Sequence, residues 1–383
     1  MTEKLYYKSS YTSSTDATVI SCTECAQGYE IILDRTLFFS VSGGMGSDIG
    51  TIDRHRVIKV FERGSDTVHI IKAPLEPSSS VLLEIDMGDR MRKMQNHTGE
   101  HIISGLAHKL FGAENVGFHA DESSVTIDLN VKLTGDDIAR LERLANTAVY
   151  ENHPVRAITP TKEEAAEISY RSKLDIKENL RLVIIENIDV CACSALHLNS
   201  TAEVGIIKIL SSSPHRGGTR IVAACGISAL ENYLSVFEQN SKISALLSAK
   251  QSATSDAVSS LLAENSALKE KLSEAKKRLA DVLIESSEKN PKLTVVISED
   301  GDPELLRYIA SKCAKFSTVG VALFPLDSSV RYAIVSDSVD LKALSKEMNP
   351  ILDAKGGGSP SLIQGSFYKD TKKILDYLSK IEL

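Results

Sequence analysis

The chain has 383 residues, a formal net charge of −7 and a hydrophobic content of 42%. This length allows two or three domains with separate cores, and the acidic balance argues against non-specific attraction to nucleic acid. No apolar run is long enough to span a bilayer, and the N-terminus lacks the apolar core of a secretory signal. The six cysteines are too sparse for a disulfide framework. We therefore expect a cytoplasmic protein with reduced or metal-bound thiols.

β structure is predicted for residues 1–88, where strand-like runs at 19–20, 29–34 and 68–73 are separated by turn residues. Between these runs, residues 42–50 carry four glycines. Such density indicates that the backbone turns sharply or approaches something closely. The stretch lacks the Lys-Ser/Thr pair of a P-loop, and no helix follows it as a dinucleotide fingerprint requires. We interpret it as a ligand-facing loop.

A helix is predicted over residues 89–111, with Gly112 as its stop signal. It carries His97 and His101 within the sequence His-Thr-Gly-Glu-His. Residues four apart lie on one face of a helix, so the two imidazoles can aim at one point. This pair is half of a metal site.

An α+β domain is expected to continue from this helix to about residue 235. A second helix, capped by Thr134, is predicted to end before Pro154. We interpret the basic groups that contain Arg171, Arg181 and Arg220 as solvated surface. Strands are expected at residues 125–129, 182–185, 206–210 and 220–224.

The pattern changes from about residue 227, because no proline occurs before residue 291 and aromatic residues become few. We predict a helical arm over residues 236–290, which forms one arm of an intramolecular hairpin or a dimer seam. Seven seam residues step by four and three: Leu261, Asn265, Leu268, Leu272, Ala275, Leu279 and Val282.

A separate α/β unit is predicted for residues 291–383, with short buried strands at 293–297, 319–324 and 331–335. Near its end, the basic Lys355 precedes three consecutive glycines at 356–358. These glycines suggest either a close approach of the backbone to another group or a flexible loop.

Cys193 and His197 supply the second half of the metal site, because they too are four residues apart. Together with His97 and His101 they form a set of one thiolate and three imidazoles. This mixture suits Zn²⁺, which usually takes four tetrahedral ligands from nitrogen and sulfur.

Two other metal arrangements compete with this set. Cys22 and Cys25 form a Cys-x-x-Cys pair that, with Cys191 and Cys193, could make a four-cysteine zinc ribbon. However, the pair lies in a strand-like stretch rather than in a tight knuckle.

The second competitor is an inverted zinc peptidase of the His-x-x-Glu-His type, with Glu100 as general base and Glu178 as third ligand. It leaves Cys193 and His197 unexplained, as well as the C-terminal unit.

Five ordered stretches carry a family resemblance. In this order they resemble motifs of the alanyl-tRNA editing proteins, the AlaX family in its long form, and of the editing and C-terminal halves of alanyl-tRNA synthetase. The resemblance runs the whole length of the chain. The stretches are Leu33–Gly50, His97–His101, Cys193–Ile209, Gly218–Gly226 and Lys355–Pro360.

The resemblance implies an α+β fold in four parts. These are an N-terminal small β-barrel-like domain with the glycine-rich loop at 1–88 and a zinc-binding editing domain at 89–235. A helical coiled-coil arm at 236–290 and a C-terminal α/β domain of the DHH-associated type at 291–383 follow. Because the chain opens on the editing part, we expect a deacylase that acts in trans and not a synthetase.

The implied function is zinc-dependent hydrolysis of mischarged tRNA(Ala), chiefly Ser-tRNA(Ala) and also Gly-tRNA(Ala). The resemblance assigns to Thr36 the reading of the serine hydroxyl. Glu100, the second expected catalytic residue, is near enough to orient a ligand or a water. Metal binding is expected at His97, His101, Cys193 and His197. Substrate or tRNA contacts are expected at Gly43, Gly44, Met45, Asp48, Arg220, Lys355, Gly356, Gly357 and Gly358.

The chain departs from the family pattern in two places. Met45 stands where the family has a glutamine, and residues 194–196 replace a small Gly-Thr run between Cys193 and His197. Both changes bear on amino-acid specificity more than on the metal site.

A non-catalytic tRNA-binding factor with structural zinc is the alternative function. A homodimer through the helical arm or the C-terminal domain is the expected assembly.

Overall fold

The computed structural model describes residues 1–121, 123–172 and 180–381. Over this part of the chain the fold is mixed α+β, with eight α-helices and several separate sheets. The predicted mixed α+β class is therefore confirmed. The chain divides into two compact units, residues 1–242 and 243–383. Among the described residues, no helix is both long and apolar enough to cross a membrane.

The first unit begins with a seven-stranded antiparallel sheet in the order β6-β5-β9-β2-β3-β8-β7, and the short β1 and β4 pair in parallel. Alternating residues of these strands fill one core that includes Val19, Ile31, Leu33, Ile52 and Leu83. The strands are β1 (Glu3–Lys4), β2 (Ser14–Cys25), β3 (Gly28–Leu33), β4 (Arg35–Thr36), β5 (Gly50–Ile52), β6 (His55–Arg56), β7 (Lys59–Arg63), β8 (Asp66–Ile71) and β9 (Ser80–Ile85).

The helix α1 (Met87–Phe111) follows this sheet and carries the His-Thr-Gly-Glu-His sequence. It begins where the Asp86 carboxylate accepts a 3.0 Å hydrogen bond from the Asp89 amide, which satisfies a free amide of the first turn. It ends at Gly112, whose φ of 62° gives the left-handed conformation that glycine adopts at low cost. The predicted helix and its stop are confirmed.

A four-stranded antiparallel sheet in the order β10-β11-β16-β15 lies against α1 and α2. Thr134 and Asp137 form the capping box of α2, so the predicted cap at Thr134 is confirmed. A smaller antiparallel sheet has the order β12-β13-β14. The elements are β10 (Asn115–Ala120), β11 (Val125–Leu129), α2 (Gly135–Glu151), β12 (Val155–Ile158), α3 (Lys162–Glu167), β13 (Leu182–Ile185), β14 (Asp189–Ala192), β15 (Ile207–His215), β16 (Gly218–Cys225) and α4 (Ile227–Leu246).

A buried ion pair fastens the first turn of α1 to the N-terminal part of the unit. The guanidinium of Arg90 donates to both carboxylate oxygens of Asp48 and also to the carbonyls of Leu37 and Ser10. The Phe39 amide donates a 2.6 Å hydrogen bond to the same carboxylate. Neither side chain of the pair has any exposed surface. Buried pairs persist only when their remaining hydrogen-bonding groups are satisfied, and here they are.

The second unit contains a five-stranded sheet in the order β17-β18-β19-β21-β20, in which only β17 and β18 run parallel. Two helices, α5 and α6, pack on one face, and α7 and α8 pack on the other. The elements are α5 (Thr254–Ser286), β17 (Leu293–Ile297), α6 (Pro303–Cys313), β18 (Val319–Pro325), β19 (Val330–Val335), α7 (Leu341–Leu352), β20 (Ala354–Gly358), β21 (Leu362–Phe367) and α8 (Thr371–Ser379).

Two helices, α4 and α5, cover most of the predicted arm at 236–290, and its coiled-coil pairing stays a prediction. A break at residues 247–253, with a short 3-10 turn at Gln251–Ala253, separates α4 from α5. In α5, Ala280 and Ile284 are buried against α6. Another face of α5 carries the large apolar residues of the seam, from Leu261 to Val282, and these side chains are exposed.

We expect Asp48→Ala to lower the free energy of unfolding of the first unit by about 3–5 kcal/mol, because it leaves the buried Arg90 charge without a partner. Equilibrium urea denaturation measures this loss. Glu30→Ala is the matched control, because it breaks a similar two-pronged pair with Arg63. In this pair the Arg63 side chain is 56% exposed and the Glu30 side chain is 20% exposed. The control should lose less than about 1 kcal/mol. Equal losses in the two variants would contradict the structural role of the buried pair.

Candidate metal centre and adjoining cavity

The four residues predicted as metal ligands lie together in the first unit. His97 and His101 project from α1, while Cys193 and His197 lie in the loop after β14. One potential ligand atom from each residue lies within 4.8 Å of all the others. Nε2 of His97 is 3.2 Å from Sγ of Cys193. The three imidazole rings have centroids 4.7–5.2 Å apart.

Two glycines of α1 allow the helix to approach its neighbours this closely. A Cβ at Gly99 would lie 2.2 Å from Sγ of Cys225, and one at Gly105 would lie 2.6 Å from Cβ of Asp189. A Cβ atom does not approach another atom this closely, so α1 packs directly on β16 and β14 because these positions lack side chains. Gly105 lies one turn after His101, and the close contact therefore brings Asp189 to the imidazole.

An ionised carboxylate orients His101. Nδ1 of His101 donates to Oδ2 of Asp189 at 2.9 Å, and Arg171 donates to both oxygens of that carboxylate at 2.8 Å. Burial alone would raise the pKa of Asp189, but the hydrogen bonds from His101 and Arg171 hold it below its usual range. With the proton fixed on Nδ1, Nε2 of His101 is the atom that can bind a metal.

His197 is oriented in a comparable way by a backbone carbonyl. Its Nδ1 donates to the carbonyl oxygen of Ala195 at 3.0 Å. Burial lowers the pKa of His197 to about 3, so the ring is neutral. Within the described part of the chain, Nε2 of His197 and Nδ1 of His97 are buried and have no hydrogen-bond partner. Buried polar atoms are rarely left in this state, and a ligand atom of a metal site is one recognised reason.

Cys193 contributes a thiolate to the same point. Burial would raise its pKa, but the three imidazoles packed around the sulfur hold the pKa well below its usual range. A thiolate with three imidazoles, two of them carrying buried and unpartnered nitrogens, is a donor set compatible with zinc.

A second donor group shares His101 and adds Asp189 and Cys191. Arg171 already supplies a positive charge to this group through its two bonds to Asp189. A metal ion would have to displace or face that guanidinium, so we do not interpret this group as a second metal site. Among the described residues, Cys22 and Cys25 join no metal-binding group, which disfavours the alternative of a four-cysteine ribbon.

A cavity of about 580 Å³ is lined by three of the four donors, His97, His101 and Cys193. Its apolar side is formed by Phe118, whose ring meets that of His97 edge-on at 5.2 Å between centroids. Its polar side includes hydroxyl, amide and guanidinium groups. Its polar lining residues include Ser42, Glu100, Asn115, Arg171, Arg181 and Ser194.

The glycine-rich loop forms part of the cavity wall. The predicted role as a ligand-facing loop requires such a position. Gly43 and Gly44 have φ values of 59° and 79°. A Cβ at Gly43 would lie 3.0 Å from that of Ala195, and one at Gly44 would lie 2.3 Å from the Phe118 ring. Only glycine satisfies both the conformation and the close contact at these positions.

Glu100 lies beneath the cavity, with 5% of its surface exposed. Its Oε1 accepts hydrogen bonds from Ser104, at 2.6 Å, and from Asn115. Its Oε2 lies 3.9 Å from Nε2 of His101, the imidazole atom available to a metal. The carboxylate is thus held by one oxygen and directs the other towards the donor set.

Three residues predicted for the site lie away from the cavity lining. Thr36 is fully buried, and its hydroxyl lies 2.8 Å from Nε2 of His69 and accepts from the Phe38 amide. Met45 is buried in the same core cluster as Phe39 and Met94. Asp48 is the buried partner of Arg90. The structure therefore gives Met45 and Asp48 packing and ion-pair contacts, and their substrate contacts stay predictions.

Arg220 and the triple-glycine stretch also lie apart from the donor set. Arg220 on β16 makes two hydrogen bonds of 2.7 and 2.8 Å to Asp128 across the sheet, and is part-exposed. In the second unit, residues 355–358 form most of the exposed edge strand β20, and Nζ of Lys355 lies 5.4 Å from the centroid of the Tyr368 ring. Glu178, the third ligand of the peptidase alternative, lies outside the described residues.

Several residues of the site were missed by reasoning from sequence. Arg171 and Arg181 were assigned to solvated surface, but both line the cavity, and Arg171 is bound to Asp189. Asp189 precedes Cys193 by four positions, and its place beside a ligand pair was the available signal. Asn115 and Phe118 carried no local signal, because a turn and a strand after α1 bring them to the cavity.

Comparison with known proteins agrees with the predicted resemblance. Residues 180–222 match the family described as the second additional domain of threonyl- and alanyl-tRNA synthetases. "Alanyl-tRNA editing protein AlaX-L" of Pyrococcus horikoshii is 26% identical over 98% of this chain and 97% of its own length. "Alanyl-tRNA editing protein Aarsd1" of Rattus norvegicus is 24% identical over 98% of both chains.

The chain is also similar to longer proteins. "Alanine--tRNA ligase" of Ignicoccus hospitalis is 26% identical over 99% of this chain and 43% of its own length. The C-Ala domain of Aquifex aeolicus alanyl-tRNA synthetase, a solved structure, is 23% identical over 24% of this chain and 96% of that domain, with a TM-score of 0.21. The end-to-end matches to the two alanyl-tRNA editing proteins confirm the predicted resemblance over nearly the whole chain.

Proposed function

We propose that the chain is an editing hydrolase that deacylates mischarged tRNA(Ala) in trans, chiefly Ser-tRNA(Ala) and secondarily Gly-tRNA(Ala). The observation that carries this proposal is the buried set of three imidazoles and one thiolate that opens on a cavity next to a held carboxylate. Its relatives named as alanyl-tRNA editing proteins align from end to end, which supports the same assignment.

The need for such an enzyme is physical. A synthetase pocket built for alanine cannot strongly reject glycine, which is smaller, or serine, which adds only a hydroxyl. A second site that hydrolyses the wrong ester removes the error. The free thiols of all six cysteines suit a reducing compartment, and we assign the reaction to the cytoplasm.

His97, His101, Cys193 and His197 would hold Zn²⁺ in this enzyme. Bound there, Zn²⁺ would supply Lewis-acid polarisation of the ester carbonyl or a hold on the substrate's amino group. The chain's own contribution is orientation, because Asp189 and the Ala195 carbonyl fix the protons of His101 and His197 away from the donor point.

Glu100 is our candidate for the general base. Ser104 and Asn115 hold its Oε1, and its Oε2 points towards the donor set. In the hydrolysis, Oε2 takes a proton from water while the water oxygen attacks the ester carbonyl carbon. The bond from that carbon to the ribose oxygen then breaks, and the ribose oxygen leaves as a hydroxyl after it receives the proton from Glu100.

Contacts with the rest of the tRNA are assigned to residues outside this cavity. We propose that Arg220 and the exposed segment from Lys355 to Gly358 bind the tRNA backbone, each within its own unit. Cations and closely approaching glycine backbone both suit phosphate groups.

We expect purified protein to hydrolyse Ser-tRNA(Ala), and His97→Ala to reduce kcat/KM at least 100-fold, because it removes one donor. A chelator should abolish the activity, and added Zn²⁺ should restore it. His119→Ala is the matched control, since this histidine is exposed and paired with Asp121 away from the donor set. Release of labelled serine measures the rate.

Tight binding of tRNA without ester hydrolysis, at any excess of protein, would overturn the enzyme and favour a non-catalytic tRNA-binding factor. Cleavage of peptides that survives Cys193→Ala would favour the peptidase alternative.

We expect Asp189→Asn to weaken Zn²⁺ binding by about 10–100-fold, because an amide orients His101 less well and lowers its basicity. Competition with a chromophoric chelator measures the affinity without reference to activity. Asp128→Asn is the matched control, because Asp128 makes the same two-pronged contact with an arginine outside the site. An unchanged affinity in Asp189→Asn would contradict the orienting role.

The exposed face of α5 supports a homodimer. Its seam follows a heptad in which one class of positions holds Val258, Asn265, Leu272 and Leu279, and the other holds Leu261, Leu268, Ala275 and Val282. All of these residues are exposed, while Ala280 and Ile284 on another face pack against α6. A single asparagine in such a seam is the device that fixes register in parallel two-stranded coiled coils. We therefore propose that a second copy of this chain covers the seam.

In a parallel pair, Glu264 of one copy would face Lys269 of the other, which is a complementary contact. We expect Leu272→Glu to convert the dimer into a monomer, as measured by sedimentation equilibrium. Ala267→Glu places the same charge on an exposed position outside the seam and should leave the dimer intact. A wild-type chain that is monomeric, or an Ala267→Glu variant that dissociates equally, would contradict this interface.

A further inference from the structure

Two serine hydroxyls meet at the cavity wall beside the donor set. Ser42 belongs to the glycine-rich loop, Ser194 follows Cys193, and both line the cavity. Their Oγ atoms lie 2.7 Å apart. Within the described part of the chain, neither hydroxyl makes another hydrogen bond. Because such a pair shares one proton, the second proton and the remaining lone pairs are available to a third polar group.

Backbone contacts hold Ser194 in place. The Tyr7 hydroxyl donates a 3.0 Å hydrogen bond to the Ser194 carbonyl. On either side of it, Nη1 of Arg181 donates to the carbonyls of Cys193 and Ala195 at 2.9 and 2.8 Å. The Ser194 hydroxyl is therefore presented from a backbone that is fixed at three consecutive residues.

Ser42 is held by its own turn and by the contact of the loop with Ala195. The amides of Ser42 and Met45 donate to each other's carbonyls at 3.2 and 3.0 Å. Gly43 packs so closely on Ala195 that its missing Cβ would lie 3.0 Å from that side chain. The two hydroxyls thus sit on opposed rigid segments, and recognition of a ligand would require little reordering.

The polar groups around them have other partners. The Asn115 amide nitrogen donates to Glu100 and Ser104, and its oxygen accepts from the Gly117 amide. Arg171 is committed to Asp189. The protein already satisfies the hydrogen-bonding capacity of these groups. It satisfies that of the serine pair only in part.

Thr36 is the residue that the family resemblance assigns to reading a serine hydroxyl, but its surroundings differ. It is completely buried, its hydroxyl accepts from the Phe38 amide and pairs with His69, and it is not among the residues that line the cavity.

We propose that the Ser42–Ser194 hydroxyl pair determines specificity, by hydrogen bonding to the side-chain hydroxyl of a seryl group and not to glycyl or alanyl groups. This inference rests on the proposed function and names the selective element of that site. A site that hydrogen-bonds a substrate hydroxyl discriminates against an analogue that lacks it, because its polar groups then lose a partner, and this pair is part-buried.

The test compares non-hydrolysable 3′-amide analogues of seryl- and glycyl-adenosine, with binding measured by calorimetry. We expect the wild-type chain to bind the seryl analogue more tightly, and Ser194→Ala or Ser42→Ala to reduce that preference by about tenfold. The double variant should lose no more than either single variant, because each removes the same pair. Glycyl binding and zinc content should stay unchanged.

Ser213→Ala, on the exposed surface of β15, is the matched control and should keep the full preference. Equal losses for the seryl and glycyl analogues, or a preference that only Thr36→Val removes, would overturn the proposal. Because the readout is binding, failure of the wild-type chain to hydrolyse Ser-tRNA(Ala) would count against the proposed function and leave this test of the serine pair intact.

Discussion

The close approach of α1 to its neighbours is the constraint on which the first unit depends. Gly99 and Gly105 let the helix lie against Cys225 and Asp189 at distances that any side chain would forbid. The buried pair of Arg90 and Asp48 fixes the start of the same helix. Because α1 carries His97, Glu100 and His101, these contacts set the positions of two metal donors and of the carboxylate beside them.

Electrostatics then determines the state of each group at the site. Arg171 keeps Asp189 ionised, Asp189 fixes the proton of His101, and the histidines hold Cys193 as a thiolate. Each step uses a hydrogen bond to offset the cost of burying a polar group. The result is a set of lone pairs directed at one point, next to a cavity in which the Ser42–Ser194 hydroxyl pair keeps hydrogen-bonding capacity.

Sequence patterns predicted those elements whose residues repeat at a regular spacing. The helix around His97, the cap at Thr134 and the strand at 125–129 follow from local periodicity and capping, and all are present. The ligand set was also predictable, because two pairs of donors share a spacing of four. The family resemblance extended this to a function.

What the sequence could not supply is contact between distant segments. From sequence alone, Arg171 is interpreted as a surface cation. In the fold it binds Asp189, which lies on β14. Asp48 and Met45 lie in a motif that suggests ligand contact, but the tertiary fold buries both. The pairing of Ser42 with Ser194 joins residues from two loops far apart in the chain. Sequence spacing predicts which residues share a face of a helix or strand. Only the tertiary structure shows which residues that face contacts.

We propose that one thiolate and three imidazoles of this chain bind a single zinc ion. X-ray absorption spectroscopy of the zinc-loaded chain tests it most directly. We expect one sulfur ligand at about 2.3 Å and three nitrogen ligands at about 2.0–2.1 Å, with the sulfur lost in Cys193→Ala. A zinc environment of nitrogen and oxygen alone, or one with more than one sulfur, would contradict the account.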